Sequence, residues 1–442
     1  MSAKTFYLES LGCAKNTVDS QSMASLLMEA GYSPVTQPRD AGYLIVNTCG
    51  FIKPARDESL EALRKLARRK KNGQKLIAAG CLTERYRMQV IEQVPGIDGI
   101  LGTRRWMDIL DLVDSLRKEP SKPRYHLPDV PTIGLDEHGM LRAARAGSSA
   151  YLKIADGCRR PCAFCAIPLI KGTTVSRPLD TILEEARKLR DMGIVELVLI
   201  AQDTTDYGHD QGLQDGLAAL LERLVQEVPD LPWIRILYAF PGYVTDRLID
   251  VMAGSKQILH YLDMPLQHAH PDTLKRMQRP ANMDWVHRTL AKMRAAIPDL
   301  ALRSTFIVGY PGETEEEFAA LLDFMKEIRF DRAGAFTFSF EPGTRSEPLG
   351  DPIPAEVKEE RLKTFMLLQE EISLARNQAM IGKQLDVLIE GSQGKISIGR
   401  SYRDAPEIDG LVFVNGLTQI GQLARVSISG ALPHDLTADL LA

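Results

Sequence analysis

The chain has 442 residues, 44% apolar and 25% charged, with a formal net charge of −4. That length exceeds one ordinary core and implies two or three domains, the composition suits a globular protein, and the charge balance excludes a global basic field for nucleic acid. No apolar run reaches the ~20 residues that span a bilayer, so no membrane partner is expected. The opening MSAKTFYLES lacks the basic-then-apolar order of a secretory leader. A cytoplasmic location follows as an expectation. The six cysteines would then face a reducing compartment, where metal binding or catalysis outweighs disulfide bonding.

Taken in chain order, strands and helices alternate at first. TFYLESLGC reads as a strand, TVDSQSMASLLMEAGY as a helix ending at glycine, and YLIVNTCG as a buried β-branched strand. PARDESLEALRKLARRKK is an amphipathic helix with proline near its start, and KLIAAGC is a third strand followed by another helix. Such alternation predicts a parallel sheet covered on both faces. A Pro-rich stretch, PSKPRYHLPDVPTIGLDEHG, reads as a linker or a wrapped connection. Six further strand patterns follow, YLKIADG, VELVLIAQD, IRILYAFP, YLDMPLQH, LRSTFIVGYPG and AGAFTFSF, with helical patterns between them. Six βα units fall short of a closed eight-unit barrel of ~250 residues and predict an open six-stranded one. After a long helix, QLDVLIEG, GLVFVNG and ARVSISG alternate between glycine turns and predict a small all-β domain.

DGCRRPCAFCAIP crowds Cys158, Cys162 and Cys165 into a C-x3-C-x2-C triplet directly after the first strand of the partial barrel. Three thiolates at this spacing can wrap one face of a metal centre. A structural zinc site wants four ligands, and the nearest histidines, His138 and His209, are remote in sequence. Three cysteines without an obvious fourth ligand suit a 4Fe–4S cluster with one iron left open. A zinc knuckle completed from elsewhere and buried inert cysteines are the alternatives. Position after a strand places the triplet at the carboxyl mouth of the barrel, where such folds keep their chemistry.

The triplet, with Phe164 before its last cysteine, resembles the radical S-adenosylmethionine superfamily. The resemblance implies that the open iron chelates the amino and carboxylate groups of S-adenosylmethionine, and that reductive cleavage of that molecule yields a radical which abstracts hydrogen from a substrate. Read the same way, Arg177 in TTVSRP could hold the methionine carboxylate, against the simpler reading of an arginine at a helix start. Gln202 and Asp203 end the second strand and Gln267 the fourth, and each could face the mouth or be a satisfied polar residue. Gly309 and Gly312 in FIVGYPGETEEEF could admit a ligand close to the backbone or make a tight turn into a helix with a Thr314–Glu317 capping box.

Cys13, Cys49 and Cys81 stand in LESLGC, VNTCG and AAGC, each at the carboxyl end of an expected parallel strand. Ligands of open α/β sheets bind outside those ends, so the three cysteines should converge. A lone cysteine is more often a small buried hydrophobe, but the same placement three times favours a second three-cysteine 4Fe–4S cluster.

GCAKNTVDS, IVNTCGFI, the triplet, FIVGYPGET and the C-terminal β-domain together resemble the methylthiotransferases over essentially the whole chain. The resemblance implies an N-terminal cluster-binding domain (1–120), a linker (121–145), a radical barrel (146–375) and a TRAM domain (376–442). It also implies two 4Fe–4S clusters, S-adenosylmethionine as both methyl donor and radical source, and an electron donor such as flavodoxin or ferredoxin. AIPLIKG, IAQDTTDYG, LDMPLQHAHPDTLKRMQRP and IGRSYRDAPEIDG resemble the RimO branch, whose substrate is an aspartate of ribosomal protein S-twelve in the small subunit. In the segment 383–430, five basic residues match five acidic ones, with acids gathered in RDAPEIDG. A phosphate-tracking surface should be basic, so this balance suits a basic protein partner or an ordinary solvated loop. The alternatives are a transfer RNA adenosine methylthiotransferase and a non-catalytic ribosome-associated iron–sulfur protein. Nothing in the sequence requires more than a monomer.

Overall fold

A computed structural model describes residues 4–119, 122–127 and 139–441. The chain forms two compact units, one of residues 1–144, 151–177 and 339–347, the other of 145–150, 178–338 and 348–442.

The first unit is built on an all-parallel sheet in the order Ser33–Pro34, Thr5–Ser10, Tyr43–Thr48, Lys75–Gly80, Gly99–Gly102, Arg124–His126. Its central strands Tyr43–Thr48 and Lys75–Gly80 are apolar on both faces because both faces are covered. Tyr43 and Ile45 point into one core with Met23 and Leu27 of helix Ala14–Glu29 and with Leu112 and Leu116 of helix Ile109–Lys118. Leu44 and Val46 point into the other with Leu60, Leu63 and Leu66 of helix Lys53–Arg69. Three of the six strands escape sequence reading. Ser33–Pro34 is only two residues long. Gly99–Gly102 is short and bounded by glycines, and Arg124–His126 lies inside the Pro-rich stretch, of which 128–138 fall outside the described residues.

The second unit holds the parallel strands Glu196–Ile200, Trp233–Ile236, Ile258–Asp263, Ala301–Val308 and Arg332–Thr337, paired in that order. Strand Ser149–Lys153 starts in this unit, opens the run beside Glu196–Ile200, and continues into the first. These are the six expected strands of the partial barrel; a short seventh, Ala143–Ala146, edges the sheet. Helix Glu315–Ile328 begins with the expected capping box of Thr314 and Glu317. Helix Ala355–Gln378 leads to a closed five-stranded barrel of Gln384–Gln393, Ile396–Ser401, Val412–Asn415, Leu423–Ala431 and Leu436–Leu440.

Buried ion pairs join that small barrel to the amino ends of the parallel strands. Glu196 lies between Arg235 and Arg400, at 2.6 Å from each. Arg403 reaches Asp331 at 2.8 Å, Arg332 reaches Asp404 at 2.6 Å, and Tyr261 donates to Asp409 at 2.7 Å. This corrects the reading of RDAPEIDG as an acidic loop suited to a basic partner. Asp404 and Asp409 are turned inward and neutralise arginines of the parallel strands, so the sequence count of acids does not describe a surface.

Candidate functional site

In the first unit, register fixes where three cysteines fall. Thr48 pairs with Gly80 at the ends of adjacent strands, so Cys49 and Cys81 leave the sheet at the same level. Ser10 pairs with Asn47 on the other side, and three residues later Cys13 caps the start of helix Ala14–Glu29. The three expected strand-end cysteines thus leave three adjacent parallel strands at one edge. Two glycines make the approach possible. A Cβ on Gly12 would lie 2.8 Å from Cys49 Cβ, and one on Gly80 would lie 2.3 Å from Asn47 Oδ1. Both have positive φ, a region that side chains disfavour.

Asn16 and Asn47 stitch these strand ends, and sequence reading misses both. The Asn16 amide donates to Leu11 O at 2.8 Å and Thr48 O at 3.0 Å, while the Cys81 thiol donates to Asn16 Oδ1 at 3.5 Å. Asn47 donates to Asn16 O and Ser20 Oγ at 2.9 and 2.8 Å. Their signal is present in GCAKN and VNTCG, since a buried amide needs partners. Cys49 N donates to Ser59 Oγ at 2.9 Å. Burial pushes the Cys49 thiol up and the Cys81 thiol up to about 12. Metal binding replaces such a thiol proton.

Beneath the cysteines lie five buried charged residues that sequence reading does not connect. Lys153 Nζ is 2.6 Å from Asp19 and 2.9 Å from Asp156; Lys171 Nζ is 3.1 and 3.4 Å from the same two carboxylates. Arg142 binds Asp19 from the other side. These cations hold the Asp19 and Asp156 carboxyls below the usual range against the opposing effect of burial.

The triplet loop belongs to the same unit. Cys158, Cys162 and Cys165 are half-buried and joined in no disulfide. Cys158 N donates to Gly172 O at 3.0 Å, Cys165 N to Cys162 O at 3.1 Å, and Arg160 N points at Cys158 Sγ from 3.5 Å. Segment 339–347 ties this loop to the Cys49 loop. Ser346 N donates to Ala163 O at 2.9 Å, between two triplet cysteines. Glu341 accepts from Lys53 N and from Arg85, both at 2.7 Å, and Arg85 also donates to Gly50 O and Phe51 O. At both places the donor set fits an iron–sulfur cluster. Each place gathers three thiols, five of the six are at least partly withdrawn from water, and at Cys158 a backbone N–H is aimed at the sulfur, an interaction that tunes such clusters.

The other expected cofactor contacts divide between the units. Phe164 is half-buried within the triplet, and Arg177 is buried with Nη1 donating to Lys153 O at 2.8 Å on the first barrel strand. Gln202 and Gly309 follow the carboxyl ends of Glu196–Ile200 and Ala301–Val308 in the second unit. Gln267 there has φ +73° and bridges to Phe306. A Cβ on Gly309 would lie 2.4 Å from Lys358 Cγ, so this glycine admits a helix side chain.

Comparison with known proteins follows the same divisions. The Radical SAM superfamily profile matches residues 152–325, the uncharacterized protein family UPF0004 matches 5–102, and a TRAM domain matches 381–441. The ribosomal protein uS12 methylthiotransferase RimO of Roseiflexus sp. is 47% identical over 459 residues, covering 99% of this chain and 97% of that protein. Its namesake in Chloroflexus aurantiacus is 47% identical over 454 residues, covering 99% and 100%. Among solved structures, the radical S-adenosylmethionine methyltransferase TsrM of Kitasatospora setae, with cobalamin and a 4Fe–4S cluster bound, superposes with a TM-score of 0.57 at 15% identity, covering 78% of this chain and 74% of that one. The cobalamin-dependent enzyme OxsB gives 0.51 at 13%, covering 83% and 56%. These two likenesses concern the fold. With near-half identity to its relatives along its whole length, the chain belongs to the RimO family of radical S-adenosylmethionine methylthiotransferases.

Proposed function

We propose that this chain inserts a methylthio group at the β-carbon of an aspartate in ribosomal protein uS12, the S-twelve protein of the small subunit. It is a transferase of the radical S-adenosylmethionine class. The observation that carries the reading is the arrival of Cys13, Cys49 and Cys81 at one edge of three adjacent strands, in a chain that also holds the C-x3-C-x2-C triplet.

Cys158, Cys162 and Cys165 would hold one 4Fe–4S cluster and Cys13, Cys49 and Cys81 a second, each three-thiolate set leaving one iron open. When bound, these groups supply one-electron cleavage of S-adenosylmethionine at the first site and a sulfur to be methylated and transferred at the second. The chain's own part is to hold ligands and exclude water. Arg160 N–H steadies Cys158 Sγ, and the Asn16–Asn47 bonds fix the strand ends from which the other thiolates project. Phe164, Arg177, Gln202, Gln267 and Gly309 would contact S-adenosylmethionine. The working parts are the N-terminal region (1–120), the radical barrel (146–375) and the TRAM domain (376–442). A flavodoxin- or ferredoxin-type donor would supply electrons to a cytoplasmic monomer. Among the described residues no helix is long and apolar enough to cross a membrane.

Mass spectrometry of uS12 from cells with the gene deleted and restored tests the reading. The expected result is one methylthio group in place of hydrogen, on an aspartate, only when the gene is present. Unchanged uS12 beside an altered transfer RNA nucleoside would overturn it.

A further inference from the structure

The triplet's own loop runs on through helix Ile167–Lys171. The residues that precede Lys171 there do not pack on the triplet alone: Ala166 and Ile170 form a small apolar cluster with Cys81, partly covered by Phe51. Lys171 ends this helix, buried, with its ammonium on Asp19 and Asp156. Asp19 lies one helical turn from Asn16, the residue that accepts from the Cys81 thiol. A lysine encoded with one cysteine motif is therefore seated beside a cysteine of the other.

The charges around it are unequal. The five buried side chains are three cations, Arg142, Lys153 and Lys171, and two anions, Asp19 and Asp156, so within this group positive charge is in excess. A buried charge needs a counter-charge. Of the three cations, Lys171 is the one whose own helix packs against Cys81. Three thiolates with their sulfides form an anionic group, whose reduction potential responds to the charge and hydrogen bonding around it.

We infer that Lys171 is a positioning residue for the Cys13–Cys49–Cys81 site, its ammonium stabilising the anionic sulfur held there and raising the reduction potential of that centre. The triplet loop thus supplies the counter-charge of the second site as well as the ligands of the first. Asp19 has the opposite sign of effect, since its carboxylate carries negative charge to the same ammonium and offsets it. The inference rests on reading Cys13, Cys49 and Cys81 as cluster ligands.

The test uses the full-length chain with Cys158, Cys162 and Cys165 changed to Ala, so that only the second centre contributes a signal. After anaerobic reconstitution with iron and sulfide, the midpoint potential is read by a titration followed by electron paramagnetic resonance. Lys171→Met should shift the reduction equilibrium about tenfold toward the oxidised form, about 59 mV for a one-electron couple. Lys171→Arg should restore the parent midpoint, and Asp19→Asn should move it upward. A purely structural role would lower iron content without moving the midpoint. An unshifted midpoint in Lys171→Met overturns this inference alone. If that variant takes up no iron, Asp19→Asn decides, and the absence of an upward shift overturns it. Absence of any cluster in the triplet-free parent overturns the cluster reading and this inference with it.

Discussion

Two regions of this protein bury several charges each, and they do so with different residues. At the amino ends of the barrel strands the cations are arginines: Arg235 and Arg400 on Glu196, Arg376 and Arg403 on Asp331, Arg332 on Asp404. Their forked donors also reach backbone carbonyls, as Arg235 does at Tyr402 O and Arg400 at Asp404 O. Planar, many-donor cations suit a fixed joint between two folded parts. In the group next to Cys81 two of the three cations are lysines, Lys153 and Lys171, compact point charges that can face a changing charge, and only Arg142 is an arginine. The first region closes a seam and the second stands next to thiols. Buried charge by itself therefore does not mark a functional site; what matters is whether a reactive or ligating atom is among its neighbours.

The contrast can be broken from either side. Replacing a triplet cysteine, Cys162→Ala, should abolish uS12 modification and remove one cluster's worth of iron, while the denaturant midpoint of the metal-free chain stays near its parent. Coincident loss of folding would erase the distinction. Arg400→Met should do the reverse. Breaking a buried pair of this kind costs about 3–5 kcal/mol, read as a lower urea midpoint, with activity retained below that midpoint.

Acid sharpens the same point. Two guanidiniums hold the Glu196 carboxyl down at about 2, from an ordinary value of 4.5. A depressed pKa gives stability that stands in full above about pH 4.5 and is lost as pH falls through about 2. The amount is on the order of 3 kcal/mol. Glu196→Gln should be less stable at neutral pH and should lose that part of the acid dependence; an unchanged stability–pH curve would refute the assignment. Gly80→Ala pushes a Cβ into Asn47 at φ +102°. It should cost about 1–3 kcal/mol and lower iron uptake at the Cys13–Cys49–Cys81 edge more than at the triplet. Smallest of all, Arg425→Ala removes a half-exposed pair with Asp386 and should change stability by under about 1 kcal/mol.

Much of the architecture is legible because burial on both faces forces runs such as LIV and LIAA, and each run stops at a glycine or cysteine that cannot be mistaken for more strand. Those stops are what place the three strand-end cysteines from the residue order alone. Side-chain partnerships are not legible in the same way. Asp19, Lys153 and Lys171 meet only because helix, strand and loop fold together, and no period in the sequence records that meeting. RDAPEIDG misleads for the same reason, since a charge count says nothing of which acids turn inward. The role of segment 339–347 is equally hidden, because its partners Arg85 and Ala163 lie far upstream.

That segment also has a consequence in time. On the ribosome the N-terminal sheet emerges first, yet the residues that pin its Cys49 loop, Ser339 to Glu347, come after the whole stretch 178–338. At roughly 5–20 residues per second, translation takes on the order of ten to thirty seconds to deliver them. For most of that interval all six thiols are already outside the exit tunnel while Glu341 and Ser346 are still to be made. The nascent chain must wait with its cysteine loops unpinned, so the order of synthesis decides when these thiols are brought together.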